Sequence, residues 1–411
     1  IMQLDAYCHA CYINLVPNQN SFGHMTRWLI HDEYRHLAEA PNGCDTRWGH
    51  FDDPFTLCPG DPGSIELVGE MFDDLLPHFT SSMLNVGCDE TVDLGAGRSK
   101  EECEQKGSGR VYLDFLLKIH KLVKSHNLTM QFWGDIIMEH PELVPDLPKD
   151  IIALEWGYEF DHPFSDHGAL FAASGVPFYV CPGTSAWNSI GGRTDNAMGN
   201  LLNAAENGLA HGAIGYLITD WGDNGHHQPL PVSYLGFAYG AGVSWCLETN
   251  RDLDIARATS LHIYADTAGL AGKVAYEMGN VYRLFETRFH NATPYALGTQ
   301  RPLAQLALKT TKTEIKQALK EIDRLAKAVS KLEMERADGD LVQSEFLLAL
   351  SLMRYGLQRL ILSETKESAR KPLLSKLKSD LKLLTRQYQK IWLARNRPGG
   401  LSDSIGKLKL N

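Results

Sequence analysis

At 411 residues, 44% of them hydrophobic and 22% charged, the chain has the make-up of a globular protein long enough to bury a large core, with room for a second, smaller domain. Its formal charge of -10 leaves no excess of Lys and Arg for a phosphate backbone, and no basic run clusters with aromatics, so nucleic acid is not an expected partner. No apolar run reaches the roughly 18 to 20 uninterrupted residues of a bilayer-spanning helix, so no membrane span is expected.

A basic-then-apolar leader is also absent from the N-terminus. The eight cysteines are scattered through a domain that needs no stapling and read as free buried thiols, with Cys88, Cys181 and Cys246 in apolar company. Cys8 and Cys11 have the spacing of a metal knuckle, with His9 between them, but no second such pair follows at a zinc-like distance. Neither a metal nor a cofactor is expected.

Up to about Asn250 one pattern repeats: a short apolar, β-branched run ends in polar and aromatic residues, and an amphipathic stretch of helical length follows. The runs are Tyr12 to Pro17, Met83 to Cys88, Thr129 to Trp133, Ile151 to Trp156, Pro177 to Cys181 and Ile214 to Trp221. Such runs fit parallel strands buried on both faces. The spacing predicts helices over Gly63 to Phe79, Gly109 to Asn127, His167 to Ser174, Asn196 to His211 and Tyr234 to Cys246.

Strands alternating with helices predict an α/β fold, and polar residues gathered at strand ends predict a (β/α) barrel. The competing doubly wound sheet would bring a G-x-G-x-x-G turn after an early strand, and none is present. From about Arg301 the composition shifts to Leu, Ala, Lys, Glu and Gln with helical spacing, in Thr311 to Glu333 and Leu341 to Glu364, with a break at residues 336–340. A third helix is expected from Pro372 to about Ala394, before the Arg395-Asn396-Arg397-Pro398-Gly399-Gly400 stop. The expected domains are a barrel over residues 1–298 and a C-terminal α-helical bundle over 299–411.

The predicted strand ends carry residues suited to a sugar: aromatic faces that stack on pyranose C–H groups, beside carboxylates, amides and imidazoles that bind hydroxyls. They are Asn18, Asn20 and His24; Asp89 and Glu90; Trp133 and Asp135; Glu155, Trp156, Tyr158 and Glu159; Trp187 and Asn188; then Asp220, Trp221, Asp223 and Asn224. A single Trp at a strand end is more often core than platform, but the recurrence with polar neighbours favours a carbohydrate pocket.

Glycoside cleavage normally sets an acid and a nucleophile or base on opposite faces of the sugar. Asp89 and Glu90 are adjacent in sequence and cannot easily do so. A 2-acetamido sugar supplies its own nucleophile, the amide carbonyl oxygen, and forms an oxazolinium ion. One carboxylate then protonates the leaving oxygen while its neighbour orients the amide N–H and stabilises the developing charge. Glu90 suits the proton and Asp89 the acetamido group. The plainer reading, a helix cap, would want Ser, Thr or Asp three residues before the Glu.

These residues resemble glycoside hydrolase family 20, the β-N-acetylhexosaminidases, and most closely a bacterial branch with a helical C-terminal domain. Asn85-Val86-Gly87-Cys88-Asp89-Glu90 matches its His/Asn-apolar-Gly-any-Asp-Glu motif. Pro17 to His24 resembles its Pro…Gly-His strand end, and Trp221-Gly222-Asp223 its final Trp-any-acid. The resemblance covers roughly Tyr12 to Cys246. It implies a retaining exo-β-N-acetylhexosaminidase acting on glycans that end in GlcNAc or GalNAc, with Glu90 as acid then base and Asp89 as acetamido orienter. Trp133, Trp156 and Trp221 would wall the acetamido pocket, and Asp223 would bind sugar hydroxyls.

Three departures from the family pattern stand out. The barrel should have two strands before the one containing Pro17, the first carrying a sugar-gripping arginine; the expected fold is therefore a (β/α)8-type TIM barrel lacking its first two strands. An incomplete N-terminus leaves cytoplasm or periplasm open, and a homo-oligomer that closes the barrel edge is compatible with it. Trp187 stands where the family has a tyrosine that holds the acetamido oxygen, with Tyr158 as another candidate. Asn20 stands where the family often has an acid supporting His24. Two alternatives follow: a catalytically silent carbohydrate-binding relative, and a two-carboxylate retaining glycosidase using Glu90 with Glu155 or Asp220.

Overall fold

Five short strands, β3 (Met83–Asn85), β4 (Thr129–Trp133), β5 (Ile151–Trp156), β6 (Phe178–Cys181) and β7 (Gly215–Tyr216), pair in parallel in that order in the computed structural model. It describes residues 1–307, 309–408 and 410. An earlier hairpin, β1 (Cys44–Thr46) with β2 (Gly49–Phe51), is antiparallel and separate. Register is carried by Asn85 opposite Gln131, Trp133 opposite Leu154, Trp156 opposite Cys181 and Val180 opposite Tyr216.

Spatial order equals chain order throughout this sheet, with a helix after each strand in the sequence. A doubly wound sheet reverses its order at a switch point, whereas a barrel does not. The fold is thus the parallel half-barrel of a TIM-type domain accompanied by a largely helical C-terminal region. Strands β4 and β5 are buried almost throughout because apolar residues fill both their faces, as expected of a parallel sheet.

The chain separates into two compact units: Ile1–Trp156, Pro163–Cys181 and Asn207–Tyr216 in the first, which contains the sheet, and Gly157–His162, Pro182–Glu206 and Leu217–Asn411 in the second. In the first unit, the run Tyr12 to Pro17 is not the strand its composition predicts. Tyr12 is fully exposed with φ 59°, and only Asn18 forms a bridge, to Asn85. An apolar run needs a neighbour along its length to become a strand, and here the ladder is limited to Asn85 N–H to Pro17 O and Gln19 N–H to Asn85 O. Residues 2–10, without a helical forecast, form a helix.

The second unit is dominated by Lys312–Val329, Gly339–Glu364 and Glu367–Arg395. Thr311 and Glu314 make a reciprocal capping box at the first of these. The third begins at Glu367 rather than Pro372, so the proline sits inside it and gives up the N–H that would bond the carbonyl four residues back. Gly339–Glu364 has the length and apolarity of a membrane span, with 67% of its most apolar window buried inside the protein.

Arg359 on that helix is buried and donates to the carbonyls of Gly298, Thr299 and Arg301, satisfying the open end of the helix Pro294–Gln300. Free thiols account for all eight cysteines; Cys58, Cys88 and Cys181 are buried, but Cys246 is only half-buried and Cys11 is exposed.

Candidate active site

Beyond β3 the chain turns sharply to present Asp89 and Glu90. Gly87, Cys88 and Glu90 all have positive φ, at 67°, 68° and 51°, and His24 on the facing loop has φ 58°. For the non-glycine residues this costs about 1–3 kcal/mol each, so the surroundings must hold them. Asn85 Oδ1 accepts from Gly87 N–H at 2.8 Å, and Trp133 N–H donates to Gly87 O at 3.0 Å. Tyr112 Oη, from the helix Ser108–Ser125, donates to Cys88 O at 2.9 Å. The N–H of Glu90 donates to Asp135 Oδ2 at 2.9 Å. Asn20 lies directly against Gly87, where a Cβ would come within 2.6 Å of its Oδ1, so this turn requires glycine.

His24 closes the site. Its Nε2 lies 3.1 Å from Glu90 Oε2 and 3.3 Å from Asp89 Oδ2. Burial alone would depress the imidazole, but the hydrogen bonds and charges of the two carboxylates outweigh it and lift its pKa from 6.5 to about 10. His24 is therefore an imidazolium at neutral pH, and its charge support comes from the dyad itself, so it does not depend on an acid at Asn20. The three ligand-type atoms lie within 4.8 Å of one another, near enough for a cation, but Nε2 is already used as the N–H donor between the two carboxylates.

Asp135 opens the short helix Asp135–Met138 after β4, and its Oδ1 lies 3.4 Å from Trp156 Nε1. Burial first, and then the charge of Asp89, push this carboxyl up to about 8, against the pull of the N–H donors from Glu90 and Trp156. Trp133 is buried at the end of β4. Glu155, next to Trp156 on β5, points the other way, as strand alternation demands: it is buried and pairs with His167 Nδ1 at 2.6 Å on the helix Phe164–Ser174. Cys88 is buried between these groups, which raises its thiol well above the ordinary range and keeps it neutral.

The remaining candidates form a cluster of their own in the second unit. Trp221 Nε1 donates to Tyr158 Oη at 2.8 Å, and the Tyr158 ring meets Trp187 edge-on at 4.8 Å. Trp187 is 1% exposed, and its Nε1 has no hydrogen-bond partner among the described residues. Asn188, with φ 54°, donates to Asp223 Oδ2 at 3.3 Å and accepts from Asn224 at 3.0 Å. Asp220 is held by the hydroxyls of Thr184 at 2.5 Å and Ser233 at 2.9 Å. Glu159 is locked by Arg193, Arg288 and the N–H of Asn291.

Residues 1–193 match the model of the family described as "Glycosyl hydrolase family 20, catalytic domain". Over these residues, which make up less than half of the chain, it is similar to that family. The match spans β3 to β6 and both dyad carboxylates. Hexosaminidase D of Homo sapiens is 30% identical over 158 residues, covering 36% of this chain and 30% of that protein. Hexosaminidase D of Bos taurus is 28% identical over 163 residues, covering 36% and 43%. The chain thus spans less than half the length of either relative.

Among solved structures, the chitobiase of Flavobacterium johnsoniae aligns at 16% identity over 93% of this chain and 67% of its own, with a TM-score of 0.45. An inactive mutant of the exo-β-N-acetylglucosaminidase of Vibrio harveyi aligns at 14% identity over 67% and 45%, with a TM-score of 0.49. Neither likeness bears on the residue roles. Tyr112 is not marked in the sequence: a tyrosine in the middle of an amphipathic helix carries nothing that distinguishes it from core.

Proposed function

We propose that this chain is the catalytic part of a retaining exo-β-N-acetylhexosaminidase that cleaves terminal β-linked GlcNAc or GalNAc by substrate-assisted catalysis. The observation that carries the reading is the convergence of Asp89 and Glu90 on one nitrogen of His24. Two carboxylates that share one imidazolium face the same space, and no pyranose fits between them as an acid and nucleophile on opposite faces would require. In this reading Glu90 carries a proton in the substrate complex and gives it to the leaving oxygen, Asp89 orients the acetamido N–H, and the His24 cation stabilises the carboxylate that Glu90 becomes. Asn20, Trp133, Asp135, Trp156, Tyr158, Trp187, Trp221 and Asp223 are the proposed substrate-binding residues.

The two-carboxylate alternative has less support. Glu155 is turned away toward His167, and Asp220 is occupied by Thr184 and Ser233. The test is turnover of 4-nitrophenyl N-acetyl-β-glucosaminide with and without a thiazoline that mimics the oxazolinium ion. Inhibition by the thiazoline, together with a loss of about 10²- to 10⁴-fold in kcat in Glu90→Gln, is expected. Turnover untouched by the thiazoline, or equal cleavage of glucosides lacking the acetamido group, would overturn the mechanism.

A further inference from the structure

The loop that carries Trp221 and Asp223 has an unusual backbone. Asn224, Gly225 and His226 are consecutive residues with positive φ, at 53°, 105° and 52°. Two of the three are not glycine, so the conformation persists only where contacts dictate it. Locally, Gln228 Nε2 closes the loop onto Trp221 O at 2.6 Å, and Asn224 ties it to Asn188.

The other contacts come from the far end of the sequence. Tyr388, nearly buried on Glu367–Arg395, donates its hydroxyl to His226 O at 2.9 Å and to Gly225 O at 3.3 Å, the carbonyls inside the strained turn. His227, 1% exposed, lies 3.0 Å by its Nε2 from Ser404 O on Leu401–Lys407. A carbonyl oxygen only accepts, so Nε2 bears the hydrogen and the ring is the Nε2–H tautomer. The His227 ring packs edge-on to Tyr388 at 5.7 Å, and His226 packs edge-on to Trp392 at 6.1 Å. A hydroxyl aimed at two carbonyls of consecutive left-handed residues does what an apolar helix-to-loop contact would not: it selects one backbone conformation.

We propose that Tyr388 and His227 are positioning residues for substrate binding, through which the C-terminal helices set the backbone of the Trp221–Asp223 loop. This rests on the reading of Asp223 as a ligand of the sugar hydroxyls. Asp223 begins the strained turn; Asn188 donates to its carboxylate, while the two clamps act on the backbone that follows it. The helical region is then part of the substrate site without touching substrate.

The experiment compares the full chain with Tyr388→Phe, His227→Ala and His227→Gln, reading KM and kcat on 4-nitrophenyl N-acetyl-β-glucosaminide and amide hydrogen exchange over residues 222–228. Tyr388→Phe keeps the ring and removes only the donor. It is expected to raise KM about 5- to 10-fold, with kcat within about twofold, and to speed exchange in the loop about 10-fold. His227→Gln, which still donates to Ser404 O, is expected to recover most of what His227→Ala loses. Unchanged exchange in Tyr388→Phe overturns the clamp whatever the activity. Faster exchange with an unchanged KM overturns its role in substrate binding. A parent chain that turns nothing over sinks the hydrolase reading instead, and the exchange measurement still decides the clamp.

Discussion

Replacing His24 by Gln separates the charge at the dyad from its hydrogen bonding. A glutamine amide can still donate to Asp89 or Glu90, but it leaves the two carboxylates facing one another without a cation. The imidazole has its folded-state pKa raised from 6.5 to about 10, so its contribution to stability is complete below pH 6.5 and is lost as pH rises through about 10. A gap of ~3.5 pH units at ~1.4 kcal/mol each gives a ceiling of ~5 kcal/mol. The side chain is 33% exposed, and solvent screening brings this down to ~2 kcal/mol.

Urea unfolding of both proteins at about pH 6, 8 and 10.5 measures the term as a difference, in which titrations common to the two cancel. The parent is expected to be more stable by ~2 kcal/mol at the lowest pH, with the gap closing at the highest. A difference that stays constant across the range would refute the assignment of His24 as an imidazolium held by the dyad.

At the acid end, burial depresses His227 to about 4, and His226 and Lys407 oppose its charge while the Ser404 carbonyl favours it. A histidine held neutral costs stability as pH falls from 6.5 toward 4, so the parent is expected to lose ~2 kcal/mol more than His227→Gln between about pH 7 and 4.5, read by unfolding at each pH. Gly356→Ala places a methyl against the carbonyl oxygen of Tyr295, where Gly339–Glu364 packs on Pro294–Gln300. A loss of about 1–3 kcal/mol in unfolding free energy is expected from this overpacking, and a neutral substitution would show that the helices can separate freely. Thr311→Ala breaks the capping box and is expected to cost about 1 kcal/mol in the same measurement.

Much of the architecture was legible because burial on both faces of a parallel sheet writes itself as continuous apolar runs. Thr129 to Trp133 and Ile151 to Trp156 became β4 and β5 with the same limits. The helical spacing of residues 109–127 and 196–211 likewise gave helices at Ser108–Ser125 and Thr194–Ala210. Where the pattern failed, a neighbour was missing or local signals competed. Tyr12 to Pro17 has the composition of a strand but the bridge to Asn85 falls just after it, at Asn18, and the place of Pro372 in the sixth position of a longer helix has no sequence mark to set it apart from a helix start.

The amino-acid order alone determined that Asp89 and Glu90 are neighbours, and with that the argument that they divide one task rather than oppose each other across a ring. It also determined which residue types stand at the strand ends. Only the tertiary structure decided that His24, 66 residues from Glu90, bridges both carboxylates, that Tyr112 holds the turn presenting them, and that Glu155 turns away to His167. The reason is physical: periodicity reports which face of an element is buried, whereas a hydrogen bond between distant loops, and the charge state it imposes, depends on distances that no local pattern encodes.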